Sequence, residues 1–311
     1  MQYKTALKHK LNIIDKTTPN NERRALASSR NGSKIMREIT SIDELRKIQL
    51  EIMSEVHSFC VKHSLNYTLW GGTLIGAIRH SGYIPWDDDI DIAMPRKDYE
   101  FFVKNFNNEN YGVFACNTNE LYPYCFAKAF DKRTVKIEPL YVSKDFEIGI
   151  DIDVFPIDNV SDVDAVKNIV GERKKDLKKW SASIYKYRKT SSVLKFAKRS
   201  LKAIYSDLGR TFGILNSNKS ACKINSDAQS FYSDGQEQIY CMLFADSNVK
   251  KPLFFDCGIF HSYVLHTFED TEFFVSARYD ELLRICFGDY MKLPPEDQRI
   301  AHHNYKIYIK E

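Results

Sequence analysis

The chain has 311 residues, of which 28% are charged and 43% hydrophobic, with a formal net charge of +4. That length can bury a full core, as one large domain with an insertion or as two small ones. The seven cysteines are odd in number and show neither Cys-x-x-Cys nor zinc-like His/Cys spacing, which argues against a disulfide framework and points to a reducing compartment. No eighteen apolar residues run together and the N-terminus lacks an apolar leader core, so the expectation is a soluble, cytoplasmic protein.

Residues 1–34 read as a polar tail, with Asp15-Lys16-Thr17-Thr18-Pro19-Asn20-Asn21 too poor in large apolar groups to order itself. Ser41-Ile42-Asp43-Glu44 reads as a capping box opening a helix with Leu45, Ile48, Ile52, Val56 and Phe59 on one face, packed on a sheet. Residues 67–70 form a first core strand, 73–80 a helix, 82–85 a turn, 89–94 a second strand and 98–106 another helix. Strands near 124–130, 135–140 and 148–155 complete a mixed sheet, and the prolines at 156, 252, 294 and 295 mark loops or helix starts.

Chemistry concentrates between residues 71 and 92. In a strand, alternate side chains share a face, so Asp89 and Asp91 project together while Ile90 and Ile92 point into the core. Carboxylates held that close repel unless a cation lies between them, which makes them candidate ligands for Mg²⁺ or Mn²⁺. Gly71 and Gly72 lack Cβ atoms and let backbone N–H groups approach an anion, and the helix opening at Thr73 would turn its positive end toward the same anion. Phosphoryl-type transfer with two metals requires a third carboxylate, for which Asp151 and Asp153 are the candidates. Lys128, Arg79 and Arg133 are candidate phosphate contacts, Asp87 is read as supporting the ligands, and Asp88 as exposed.

The stretch from Gly72-Thr73-Leu74-Ile75-Gly76-Ala77 through Ile84-Pro85-Trp86-Asp87-Asp88-Asp89-Ile90-Asp91-Ile92 to Met94-Pro95-Arg96-Lys97-Asp98-Tyr99 resembles the signature of the LicD family. The resemblance resumes at Phe126-Ala127-Lys128, Asp131-Lys132-Arg133-Thr134, Asp151-Ile152-Asp153-Val154-Phe155-Pro156-Ile157-Asp158 and Gly288-Asp289-Tyr290-Met291-Lys292-Leu293-Pro294-Pro295-Glu296, spanning roughly 40–160 and 260–305. Sixteen residues separate Gly72 from Asp89, more than simple nucleotidyltransferases carry, and this extra segment is part of the match.

The resemblance implies an α+β, nucleotidyltransferase-like mixed sheet flanked by helices: a catalytic core over 35–160, a basic helical insertion over 161–235, and a segment over 236–311 completing the core. It implies a phosphotransferase that moves phosphocholine from CDP-choline, or a related CDP-activated alcohol, onto a glycan or lipid-linked glycan in lipopolysaccharide, teichoic acid or capsule assembly. Ribitol or glycerol phosphate transfer, small-molecule nucleotidyl transfer, and a non-catalytic glycan- or lipid-binding relative stay open as alternatives. Its position before Val-Phe-Pro favours Asp153 over Asp151 as third carboxylate; Asp158 is read as opening the next turn. His302 and His303 fall where the family carries a polar C-terminal segment and are candidate nucleotide or phosphate contacts. A choline group would need an aromatic cage, for which Tyr83, Trp86, Tyr122 and Tyr124 are the candidates.

Residues 167–202 carry 13 Lys and Arg against Glu172 and Asp176, a local balance of +11 that leaves the rest of the chain at about −7. Trp180, Ile184, Tyr185, Val193, Leu194, Phe196, Ala197, Leu201 and Ile204 interleave with those cations at roughly helical spacing. The expected partner is the anionic inner face of a membrane, a peripheral contact rather than a span, with no nucleic acid expected.

Overall fold

The computed structural model describes residues 36–137, 147–160, 176, 179–183, 193–229, 239–241, 254–300 and 306–310. In chain order the elements are β1 (Met36–Ile39), α1 (Ile42–His63), β2 (Thr68–Leu69), α2 (Gly71–His80), β3 (Asp91–Pro95), α3 (Arg96–Asn105), β4 (Tyr111–Phe114), β5 (Ala127–Asp131), β6 (Thr134–Ile137), β7 (Asp151–Val160), α4 (Val193–Thr211), α5 (Ser217–Gln229), β8 (Ile239–Cys241), β9 (Phe254–Asp256), β10 (Tyr263–Phe268), β11 (Thr271–Ser276), α6 (Tyr279–Phe287) and β12 (Lys306–Lys310). The architecture is α+β, as expected. The polar stretch 15–34 and part of the basic segment 167–202 lie outside the described residues.

Helix α1 starts at the expected cap. Ser41 has extended backbone, and its Oγ accepts from the N–H groups of Asp43 at 3.2 Å and Glu44 at 3.4 Å. The reciprocal half of a capping box is missing, because the Glu44 carboxylate turns away to Arg37 at 2.6 Å. The buried stripe is Leu45, Gln49, Ile52, Met53, Val56 and Cys60. Ile48 and Phe59, expected on that stripe, lie at its edges and pack half-buried against the core.

The central sheet runs β2-β3-β7-β5-β4, with β8 added at the far end of β7 and β9 beyond it. Only β3 and β7 pair in parallel; the other pairs are antiparallel. The register sets Asp91 opposite Asp153 and Lys128 opposite Asp153, so residues 91, 153 and 128 form one row across three strands. The β10–β11 hairpin is tied to this sheet where the Thr68 Oγ1 accepts from the Ser276 N–H at 3.0 Å. Strand β12 closes a second, three-stranded sheet between β1 and β6.

Helix α2 lies against the turn that follows it. A Cβ on Gly76 would stand 2.4 Å from the Gly82 carbonyl oxygen, so only glycine permits this approach. The second strand begins at Asp91 rather than at residue 89, so Asp89 sits just before it; even so, the Asp153 N–H donates to the Ile90 carbonyl at 2.9 Å and extends the pairing toward Asp89.

Candidate functional site

The row of Asp91, Asp153 and Lys128 is built from the head of α2 outward. Gly71 adopts φ +58°, which reverses the chain between β2 and the helix without strain. The Trp70 N–H then donates to the Asp91 carbonyl at 2.8 Å, and the Thr73 Oγ1 accepts from the Asp91 N–H at 2.8 Å. Both backbone groups of Asp91 are thus fixed by the turn that carries the glycine pair. The first intrahelical bond runs from the Leu74 N–H to the Trp70 carbonyl, so the earlier N–H groups of α2 have no helical acceptor, and this positive helix end lies beside Asp91.

A second acidic group approaches along the lead-in to β3. One carboxylate oxygen from each of Asp87, Asp88 and Asp89 lies within 4.8 Å of the others. Two residues of α1 shape this loop. The Arg46 guanidinium donates to the carbonyls of Ile84 (3.2 Å), Pro85 (3.1 Å) and Asp87 (2.6 Å), while the Gln49 amide donates to those of Asp88 (3.1 Å) and Asp151 (3.5 Å). This clamp corrects the expectation for Asp88: its side chain is buried, because Gln49 draws its backbone under α1.

Between the two acidic groups lies a cleft of about 40 Å³, lined by Gln49, Asp88, Asp89, Lys128, Lys136, Asp151 and Asp153. It holds its own cations. Lys128 Nζ bonds Asp153 Oδ1 and reaches Asp151 Oδ1 at 3.3 Å, and Lys136 Nζ stands 2.5 Å from Asp151 Oδ2. Burial holds the Asp153 carboxyl above the usual carboxylate range; the Asp151 charge adds to the rise and Lys128 opposes it.

The candidate ligands Asp89, Asp91, Asp151 and Asp153, the glycine pair, Thr73 and Lys128 are therefore brought to one end of the sheet. Asp89, Asp91 and Asp153 do not themselves close into one tight triad. Among the described residues, the acidic group within 4.8 Å is that of Asp87, Asp88 and Asp89, because Asp153 is held by Lys128 instead. Thr73 has its hydroxyl oxygen engaged in positioning Asp91.

Other candidates are placed elsewhere. Arg79 occupies the last turn of α2, about 10 Å along the axis from Gly72, and donates to the Tyr290 carbonyl at 2.6 Å. Arg133 forks onto Asp131 beyond the end of β5 and contacts the Tyr111 hydroxyl at 3.1 Å. Trp86 lies under the Arg299 guanidinium, 5.7 Å from its ring centre. Tyr83 and Tyr122 are core residues, with hydroxyls bonded to the Arg46 and Phe126 carbonyls, so neither offers a free ring face. Tyr124 is half-buried against a core cluster, its ring centre 5.6 Å from Lys128 Nζ. Asp158 opens no turn; it is fully buried on β7 and paired with Arg96 at 2.7 Å. His302 and His303 lie outside the described residues.

Sequence reasoning missed Arg46, Gln49 and Lys136. A signal existed for Gln49, which stands four residues after Leu45 on the buried stripe; for Lys136 the alternation misleads, because Val135 and Ile137 read as the inward face whereas the structure buries Thr134 and Lys136. The donor set of the site is all oxygen and mostly carboxylate, packed closely enough to need positive charge, and it suits a hard divalent cation such as Mg²⁺ or Mn²⁺.

Comparison with known proteins gives concordant matches. The family model described as the LicD/FKTN/FKRP nucleotidyltransferase domain matches residues 64–203, a span holding the glycine pair, both acidic groups and Lys128. A lipopolysaccharide cholinephosphotransferase, LicD of Haemophilus influenzae, is 30% identical over 281 residues, covering 88% of this chain and 100% of that protein. An uncharacterized protein of Rickettsia typhi, RT0683, is 30% identical over 121 residues, 38% of this chain and 37% of that one.

Proposed function

The chain belongs to the LicD family and is a phosphotransferase, and from that premise we propose that it moves phosphocholine from CDP-choline to a hydroxyl of a lipopolysaccharide-type glycan or its lipid-linked precursor. The observation that carries this reading is the row of Asp91, Asp153 and Lys128, set by strand register beside the open N-terminal end of α2.

In this reading Asp89, Asp91 and Asp153, with Asp151 behind them and Asp87 and Asp88 alongside, hold Mg²⁺ or Mn²⁺. The bound ion would supply positive charge against the donor diphosphate and the departing nucleotide. The chain's own groups do the rest. The first N–H groups of α2 cradle a phosphate oxygen, with Gly71 and Gly72 allowing the close approach. Lys128 offers a point charge to the transferred phosphoryl group. Asp153 Oδ2, the oxygen left over by the Lys128 contact to Oδ1, draws the proton from the acceptor hydroxyl. Lys136 keeps Asp151 from competing for that proton by pairing with it.

No helix among the described residues is long and apolar enough to cross a membrane, and we place the reaction in the cytoplasm. The test is CMP release from CDP-choline under Mn²⁺ titration. Asp91→Asn is expected to lose roughly 10²–10³-fold in kcat with its fold intact, the scale of removing a preorganised electrostatic group. Turnover unaffected by Asp91→Asn would overturn the reading, and release from CDP-ribitol or CDP-glycerol but not CDP-choline would redirect the donor.

A further inference from the structure

Helix α4 is amphipathic in the wrong sense for a helix that merely covers a core. Its protein-facing side is small and polar, with Ala203, Ser206 and Gly209 buried. Leu215 is folded so tightly against Gly209 that a Cβ there would meet it at 2.6 Å. The Arg210 guanidinium donates to the Ser183 carbonyl at 2.9 Å and anchors the same side. Its outer side carries Leu201, Ile204, Tyr205, Leu208 and Phe212, each between 53% and 73% exposed. At 100° per residue these five fall within an arc of about 100°, opposite the buried residues. Phe212 continues the same face because its N–H still bonds the Leu208 carbonyl at 2.9 Å.

The stripe is held outward by the rest of the fold. Helix α5, which follows directly, is pinned to the core: the Asn218 amide donates to the carbonyls of Cys116, Asn119 and Tyr122 at 2.8–3.0 Å, and Ala221 and Ile224 are buried beneath. Turning α4 over would therefore require undocking α5. Lys198 and Lys202 are exposed along one edge of the stripe.

We propose that this stripe of α4 lies in the headgroup region of an anionic membrane, with Lys198 and Lys202 at the phosphates. Two features of the chain select that occupant. The helix carries Lys195, Lys198, Arg199, Lys202 and Arg210 against Asp207, so a second copy of it would bring like charge against like, whereas an anionic lipid surface neutralises it. Nucleic acid would satisfy the cations but leave five large apolar side chains against water. The inference goes beyond the transfer chemistry.

The full-length chain, without donor or metal, is to be sedimented with vesicles of phosphatidylcholine plus phosphatidylglycerol and with phosphatidylcholine alone. Co-sedimentation with the anionic vesicles is expected, weakening with salt. Ile204→Ser with Leu208→Ser should lower the partition coefficient by about tenfold or more, and Lys198→Gln with Lys202→Gln by about tenfold at low salt, neither changing the thermal midpoint. The proposal fails if the chain stays in solution, or if both paired variants bind like wild type. It fails equally if oligonucleotides bind while vesicles do not, or if Ile204→Ser with Leu208→Ser abolishes a dimer and vesicle binding is absent. CMP release by the same preparations is scored separately, so a donor assignment that fails leaves the vesicle result standing, and the reverse.

Discussion

Strand β7 carries two buried ion groups, and they differ in what they leave over. On one face, Asp158 is fully buried and paired with Arg96 at 2.7 Å; Arg96 also reaches Glu100 at 3.0 Å and Asn225 at 2.7 Å, and α3 and α5 close over the group. Alternation puts Asp151 and Asp153 on the other face, where Lys128 and Lys136 meet them, but these two lysines share the cleft with Asp88 and Asp89 as well. The first group is shut away from solvent, with Arg96 Nη2 and Asp158 Oδ2 left without hydrogen-bond partners. The second opens on a cleft with carboxylates in excess of cations, the condition under which an added divalent ion gains most. Buried charge by itself does not mark function; buried charge left unbalanced at a cleft does.

The largest effect expected from this contrast is on stability. Asp158→Ala would strand the Arg96 guanidinium in the core and should cost about 3–5 kcal/mol in denaturant unfolding, whereas Arg96→Met combined with Asp158→Leu should recover most of it. A double variant as unstable as the single one would show that the closed pair does more than neutralise itself. In the open group, Lys136→Met leaves one Asp151 oxygen without its cation and should cost about 1–3 kcal/mol. Added Mn²⁺ is expected to restore part of that loss, and a melting temperature equally insensitive to Mn²⁺ in wild type and variant would count against unbalanced charge at the cleft.

The smallest effect concerns a titrating group with a neutral partner. His57 Nδ1 lies 2.7 Å from the Tyr67 hydroxyl, among Phe273 and Phe274, and burial lowers its pKa below the ordinary 6.5. The unfolded chain binds the proton more readily, so the contribution of His57 is fully present above about pH 6.5 and fades as the pH falls through the lower folded value. Thermal midpoints of His57→Gln between neutral and mildly acid pH should therefore slope less than those of wild type; parallel slopes would contradict it.

Much of the site was legible where the pattern was local. Alternation placed Ile90 and Ile92 in the core and Asp91 on the row with Asp153 and Lys128, and the glycine pair marked the head of α2. Arg79 and Arg133 were singled out by charge alone, and their actual partners, the Tyr290 carbonyl and Asp131, depend on chain packing that charge does not report. Asp158 looked like its neighbours Asp151 and Asp153 in the motif; only the packing of α3 against β7 separates a structural carboxylate from two at the cleft.

The amino-acid order alone determined the glycine-rich turn and the acidic segment, because each is written in residues a few positions apart, and through the resemblance those motifs carry it gave the family and with it the α+β class. Tertiary structure decided which charges meet. Residues 91, 128 and 153 share a row only through strand pairing across long stretches of chain, Lys136 and Gln49 enter the cleft from elements with no acidic motif of their own, and the outward turn of the α4 stripe depends on where α5 docks. Such contacts are non-local, and periodicity along a chain carries no information about which distant segment supplies the partner.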